Sequence, residues 1–203
     1  MNEIELLAPA KNIETAIAAI NSGADAIYIG ASDFGARKNA PNTLHDIEQL
    51  VIYAHKFYVR VHVAINTILN DAELVKAIDL VKNLYNIGVD AIIIQDMGLL
   101  KAAIDGKLPP IEIHTSTQCD TRTLSKAKFF DKLGVSRIIL ARELSIDKIS
   151  EICENTTCDI ETFIHGALCV SYSGQCYLSY ANGGRSANRG ECAQPCRKKY
   201  SLI

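Results

Sequence analysis

The sequence predicts an α/β protein built as a (β/α)8 barrel of the TIM type, and three observations carry that expectation. Short apolar, β-branched runs alternate with longer stretches of helical periodicity. The runs are apolar throughout, as in parallel strands covered on both faces. A turn signal also recurs ahead of strands, at Gly23-Ala24-Asp25, Gly88-Val89-Asp90 and Gly134-Val135-Ser136. The alternative is an open, doubly wound sheet. Against it, LLAPAKN stands where a GxGxxG phosphate turn would follow the first strand.

Each element follows from local signals. The first strand is expected over Ile4 to Ala8, and Asn12 caps a helix that Gly23 stops. Ala26 to Gly30 forms the second strand, Thr43 to Phe57 an amphipathic helix and Val59 to Ala64 the third strand. Asp71 is expected to cap a long helix to about Ile87, ended by Gly88. Ala91 to Gln95 is the fourth strand, followed by a short helix from Gly98 to Ile104. Ile111 to Ser116, Arg137 to Ala141 and Asp159 to His165 complete seven strands. Between them lie a helix from Thr123 to Leu133 and another capped by Ser145, with Lys148 at the third helical position.

Residues 1–165 are thus read as seven βα units, and residues 166–203 as a Cys/Gly-rich metal-binding loop with the start of an eighth strand. That start is Lys199 to Ile203 (KYSLI), which leaves the barrel incomplete at its C-terminus and implies a fragment of a longer protein.

Composition narrows the function classes. The chain has 203 residues, 48% hydrophobic and 22% charged, and a net charge of -2, which offers no global basic footprint for nucleic acid. Any RNA contact must come from a local patch. No apolar run approaches the ~18 residues of a membrane helix. The N-terminus lacks the basic and apolar regions of a signal peptide. A cytoplasmic location is expected, where seven cysteines point to metal or redox chemistry rather than disulfides.

In such barrels the chemistry sits at the C-terminal ends of the strands. The polar residues there are Asn66 and Thr67, Gln95 and Asp96, His114 with Ser116 and Gln118, Arg142 and Glu143, and Glu161 with His165. The HTSTQ run raises His114 and Gln118 above packing residues, although a strand histidine such as His62 is ordinarily one. Glu143 could equally serve as an acidic residue ahead of the Ser145 helix.

The cysteine segment is the strongest signal. Its pattern is Cys-x6-Cys-x15-Cys-x3-Cys at Cys169, Cys176, Cys192 and Cys196, in a glycine-rich loop able to wrap a ligand. Four thiolates suit a tetrahedral zinc or a four-iron cluster. Only the last pair has a zinc-knuckle spacing, which favours iron–sulfur with zinc as the runner-up. Inert thiols are the third option. Cys119, Cys153 and Cys158 fall in or beside helices and read as packing residues. Arg185, Arg189, Arg197, Lys198 and Lys199 interleave with Tyr172, Tyr177, Tyr180 and Tyr200, a patch able to hold phosphates and stack bases.

The run ETFIHGALCVSYSGQCYLSYANGGRSANRGECAQPCRKKYSL resembles the signature of the collagenase-like peptidase family, long filed without a catalytic type. ELLAPA, DAIYIGASDFGARKNAPN, HTSTQ and ARELS match in the same order, so the resemblance spans nearly the whole chain. Lys11 departs from it, standing where the family usually has glycine. The resemblance implies oxygen-independent hydroxylases of tRNA, rRNA or the ubiquinone ring that carry a 4Fe-4S cluster, the RNA branch drawing on prephenate. It makes Cys169, Cys176 and Cys192 cluster ligands. The fourth would be Cys196, or a family cysteine that lies beyond Ile203. His114, Gln118, Glu143, Glu161 and His165 would then hold a small co-substrate, and Arg185, Arg189, Arg197 and Lys198 would face tRNA or rRNA. A zinc- or thiol-dependent peptidase is the second expectation, although neither HExxH nor GxSxG occurs. A non-catalytic barrel with a structural metal is the third.

Overall fold

Side-chain caps and left-handed glycines set the element ends, because each helix terminus must replace backbone hydrogen bonds that the helix cannot make. The computed structural model describes residues 4–35, 42–167 and 169–201. Its βα units run β1 (Leu7–Ala10), α1 (Ile13–Asn21), β2 (Ala26–Gly30), α2 (Leu44–His55), β3 (Arg60–Ile65), α3 (Asp71–Asn86), β4 (Ala91–Ile94) and α4 (Met97–Ile104). They continue as β5 (Glu112–Thr115), α5 (Leu124–Lys132), β6 (Arg137–Ile139), α6 (Ile146–Glu154) and β7 (Asp159–Glu161). Beyond β7 come a short helix, α7 (Leu178–Gly183), and 3₁₀ turns at Ala187–Arg189 and Pro195–Arg197.

Asn12 and Ser145 cap their helices as the sequence indicates, whereas Thr43, expected as the first residue of its helix, is the N-cap of α2 in a full capping box with Asp46. For α3 the cap is Asn70 rather than Asp71, with Glu73 answering from the third position. Strand β1 starts later than expected, because Leu6 spends its backbone N–H on the Asp25 carboxylate and its carbonyl on the Asp25 and Ala26 amides. Strand β7 stops at Glu161, so His165 lies outside it. Lys199 to Ser201 is irregular, and Leu202 and Ile203 of the expected eighth strand lie outside the described residues, as do residues 36–41 of the DAIYIG stretch.

Among the described residues the seven strands are parallel and ordered β1 through β7. Alternation divides each strand between two faces. Val61, Val63 and Ile65 of β3 join Ile27, Ile29, Ile92, Ile94 and Ile138 in the core beneath the helices, together with Leu50 of α2, Leu84 of α3 and Phe130 of α5. Burying each large apolar side chain is worth roughly 1.5–3 kcal/mol, so this layer dominates stability.

The opposite face carries His62, Ala64 and Ile93, with His114 on β5. The rings of His62 and His114 meet edge to face at 4.8 Å, although β4 lies between their strands. That contact requires a curled sheet, and Ala91, opposite His62, leaves room for it. Glu5, just ahead of β1, pairs with Arg137 of β6, so the curl brings the first strand round to the sixth. The barrel expectation holds as a curled seven-stranded parallel sheet.

Candidate active site at the barrel mouth

The interior is charged at the N-terminal end of the strands and polar at the other. Arg60 pairs with Glu112 at 2.7 Å, and Arg137 reaches Glu5, Asp159 at 3.3 Å and Glu161 at 3.6 Å. Burial opposes the Arg137 charge, yet Glu5, Glu161 and Asp159 hold its pKa above the ordinary value. Above this plug the imidazoles of His62 and His114 are fully buried. Burial pushes both pKa values down to about 3, so both rings are neutral at physiological pH. Burial also pushes Glu161 up to about 7, against the pull of Arg137. Near the mouth, Asn66 donates to Tyr28 Oη and Ser116 Oγ at 3.3 and 3.4 Å.

The segment after β7 is strapped across that mouth at two places. At the first, Ser173 donates its backbone N–H and its hydroxyl to Glu143, at 2.6 and 3.1 Å. These bonds favour the carboxylate form and hold Glu143 below its usual pKa despite the opposing effect of burial. Beside it, Gln175 donates to Asp120 at 2.7 Å, Asp120 pairs with Arg122, and the Arg122 guanidinium lies 4.4 Å from the centre of the Tyr172 ring. Gly174 has φ +72°, and a Cβ there would sit 2.0 Å from the Gln118 carbonyl oxygen. Only glycine fits that approach. At the second place, Arg189 forks onto Glu73 at 2.6 and 3.1 Å and donates to the Ile68 carbonyl at 2.7 Å.

The structure therefore divides the predicted site. Gln118 and Glu143 come together under the strap, the first through its backbone and the second through its carboxylate. Gln118 also lines a groove of about 480 Å³ with Gln95, Asp96 and Phe129. His114 and Glu161 lie deeper, among the buried charges. His165 is exposed on the loop leaving β7. Arg189 is occupied within the chain, and Arg185 donates to the Glu191 carbonyl at 3.1 Å.

Ser173, Asp120, Arg122, Gln175 and Glu73 went unmarked in the sequence, because the contacts that bring each to the strap join it to residues 30 or more positions away. A polar Ser-Gly-Gln run between two motif cysteines was the available signal.

All seven cysteines are free. Burial pushes the Cys119 and Cys158 thiols up to about 12, which suits packing residues, whereas Cys153, expected to pack, is exposed on α6. Cys169, Cys192 and Cys196 are exposed and Cys176 is partly so. Thiols of this kind match a soft metal or an iron–sulfur cluster in donor type. In position they do not: among the described residues no three His, Cys, Asp or Glu side chains stand close enough to hold one ion.

The fold and the strapped mouth define a parallel βα-barrel protein with a cysteine-bearing cover on its C-terminal face. The chain belongs to peptidase family U32, whose model matches residues 11–203. It is 55% identical over 201 residues to the 23S rRNA 5-hydroxycytidine synthase of Escherichia coli, covering 99% of this chain and 30% of that protein. It is 38% identical to tRNA hydroxylation protein P1 of Bacillus subtilis, covering 98% of this chain and 47% of that protein. The chain thus spans between 30% and 47% of the length of these relatives. In fold it is similar to the U32 peptidase Mk0906, with a TM-score of 0.65 and 17% identity over 79% of this chain and 68% of that one. No helix among the described residues is long and apolar enough to cross a membrane.

Proposed function

We propose that this chain is the barrel portion of an enzyme that hydroxylates a pyrimidine base in rRNA or tRNA. The observation that carries this reading is the 55% identity, over nearly the whole chain, to an rRNA cytidine-hydroxylating enzyme. The likeness to a tRNA hydroxylation protein supports the same class of chemistry. RNA would be met by Arg185, Arg197 and Lys198 of the cover, with the exposed rings of Tyr177, Tyr180 and Tyr200 beside them as stacking surfaces. Arg189 serves the strap instead.

Cys169, Cys176 and Cys192 are proposed as ligands of a 4Fe-4S cluster, with Cys196 in the fourth place and zinc as the alternative metal. When bound, a cluster would supply electron transfer. The free, solvent-reached thiols on one loop support this assignment. Loading would require these thiols to move together. The barrel mouth would bind a small co-substrate, prephenate on the family resemblance, and the neutral buried histidines keep the interior free of added positive charge. The same reading places the protein in the cytoplasm, with its RNA substrate.

The test combines nucleoside mass spectrometry of rRNA and tRNA from a deletion strain with iron, sulfide and EPR analysis of the anaerobically purified whole protein. A missing hydroxylated pyrimidine, restored by the wild type and not by Cys176→Ser, is the expected result. An unchanged nucleoside profile together with an iron-free protein would overturn it. The family name favours a second reading, a peptidase. Chelator-sensitive gelatin cleavage that disappears in Cys169→Ser would support it.

A further inference from the structure

A cleft of about 390 Å³ opens beside the first strap contact, lined by Arg142, Glu143, Cys169, Val170, Ser171 and Tyr172. Arg142 sits in the turn leaving β6, at the catalytic end of a barrel strand. Its Nε is buried and meets no hydrogen-bond partner among the described residues. No ion pair among them engages its guanidinium either, whereas Arg60, Arg122, Arg137 and Arg189 are each matched to a carboxylate. An unsatisfied buried donor on a permanent cation is costly, and a fixed guanidinium fork matches an oxyanion.

Glu143, next along the chain, feels the Arg142 charge but makes no ion pair with it. Its oxygens are taken by the Ser173 amide and hydroxyl. The remaining lining is mixed: Ser171 offers a hydroxyl, while Val170 and the Tyr172 ring are exposed apolar surface. A volume of this size is on the scale of small-molecule sites, which pair apolar walls with a few placed polar groups.

We infer that this cleft binds a small organic carboxylate with an apolar body, Arg142 taking the carboxylate and Val170 with Tyr172 flanking the rest. The inference deepens the proposed hydroxylase reading by assigning the small co-substrate a place beside Cys169. The site is distinct from His114 and Glu161, which lie deeper in the barrel.

Binding is tested by titration calorimetry and ligand-observed NMR on the whole protein, with benzoate, its neutral isostere benzamide, and inorganic phosphate as probes. Benzoate is expected to bind and benzamide to bind about tenfold more weakly or worse, the loss of a charge-assisted pair. Arg142→Gln should lose benzoate by a similar factor, while Arg142→Lys retains part of it and Lys128→Gln on α5 changes nothing. Thermal melts of each variant show whether the fold is kept. Equal binding of benzoate and benzamide, or undiminished binding by a folded Arg142→Gln protein, overturns the inference. So does Arg142-dependent binding of phosphate in place of benzoate, which would mark a phosphate site. These measurements need neither RNA nor a loaded metal site, so carboxylate binding without RNA hydroxylation would sink the hydroxylase reading and leave the cleft standing.

Discussion

Glu143 accepts two hydrogen bonds from Ser173, at 2.6 Å from its amide and 3.1 Å from its hydroxyl, across thirty residues of chain. This relationship ties the end of β6 to the cysteine-bearing segment and fixes where Cys176, three residues on, begins its path over the mouth. Glu143→Gln keeps one acceptor oxygen and removes the charge. It is expected to cost about 1 kcal/mol of stability. The local effect should be larger: faster amide exchange at Ser173 by mass spectrometry and faster alkylation of Cys176. Unchanged exchange would show that the segment is held by other contacts.

Gly174→Ala tests the same junction sterically. The new Cβ meets the Gln118 carbonyl at 2.0 Å in a left-handed backbone conformation. The strain is about 1–3 kcal/mol or more. The segment should undock before the barrel unfolds, giving protease cleavage near residue 174 while circular dichroism remains barrel-like. A variant as resistant as the wild type would contradict the close approach.

Arg189→Ala removes the second attachment and leaves the Asn70–Glu73 capping box intact. The pair is partly exposed, so global stability should fall by less than about 1 kcal/mol. Exchange around the 3₁₀ turn at Ala187–Arg189 should nonetheless rise, and in the wild type it should rise with salt as the pair is screened. Exchange independent of both the variant and the salt would remove Arg189 from the strap.

The buried histidines set the acid limb of stability. Folding lowers the pKa of His62 and His114 from 6.5 to about 3, so below pH 6.5 the unfolded chain takes up protons that the folded chain refuses. Each histidine then lowers stability by up to about 1.4 kcal/mol per pH unit as pH falls. Glu161 acts oppositely. With its pKa raised from 4.5 to about 7, it favours the folded state below pH 4.5 and loses that contribution as pH rises toward 7. Two histidines outweigh one glutamate, so denaturant midpoints should fall steadily from pH 6.5 toward pH 4. His62→Leu should roughly halve the histidine contribution to that slope, and an unchanged slope would place the acid sensitivity elsewhere.

Taken by itself, the sequence determined the barrel, the helix caps at Asn12 and Ser145, and the presence of a cysteine-rich cover after the seventh strand. These follow from local rules: apolar periodicity, capping chemistry, and clustered residue types that act over a few positions. Even there it erred by short margins, as at α3, where Asn70 rather than Asp71 holds the cap because its side chain reaches the Glu73 amide. Tertiary structure alone decided that His62 and His114 touch across an intervening strand, that Glu143 holds a loop instead of a helix end, and that Arg189 faces Glu73. It also left the Arg142 Nε without a hydrogen-bond partner among the described residues. The physical reason is sheet curvature. Curling brings together side chains from strands that are not neighbours, and partners 30 to 130 residues apart leave no trace in local patterning.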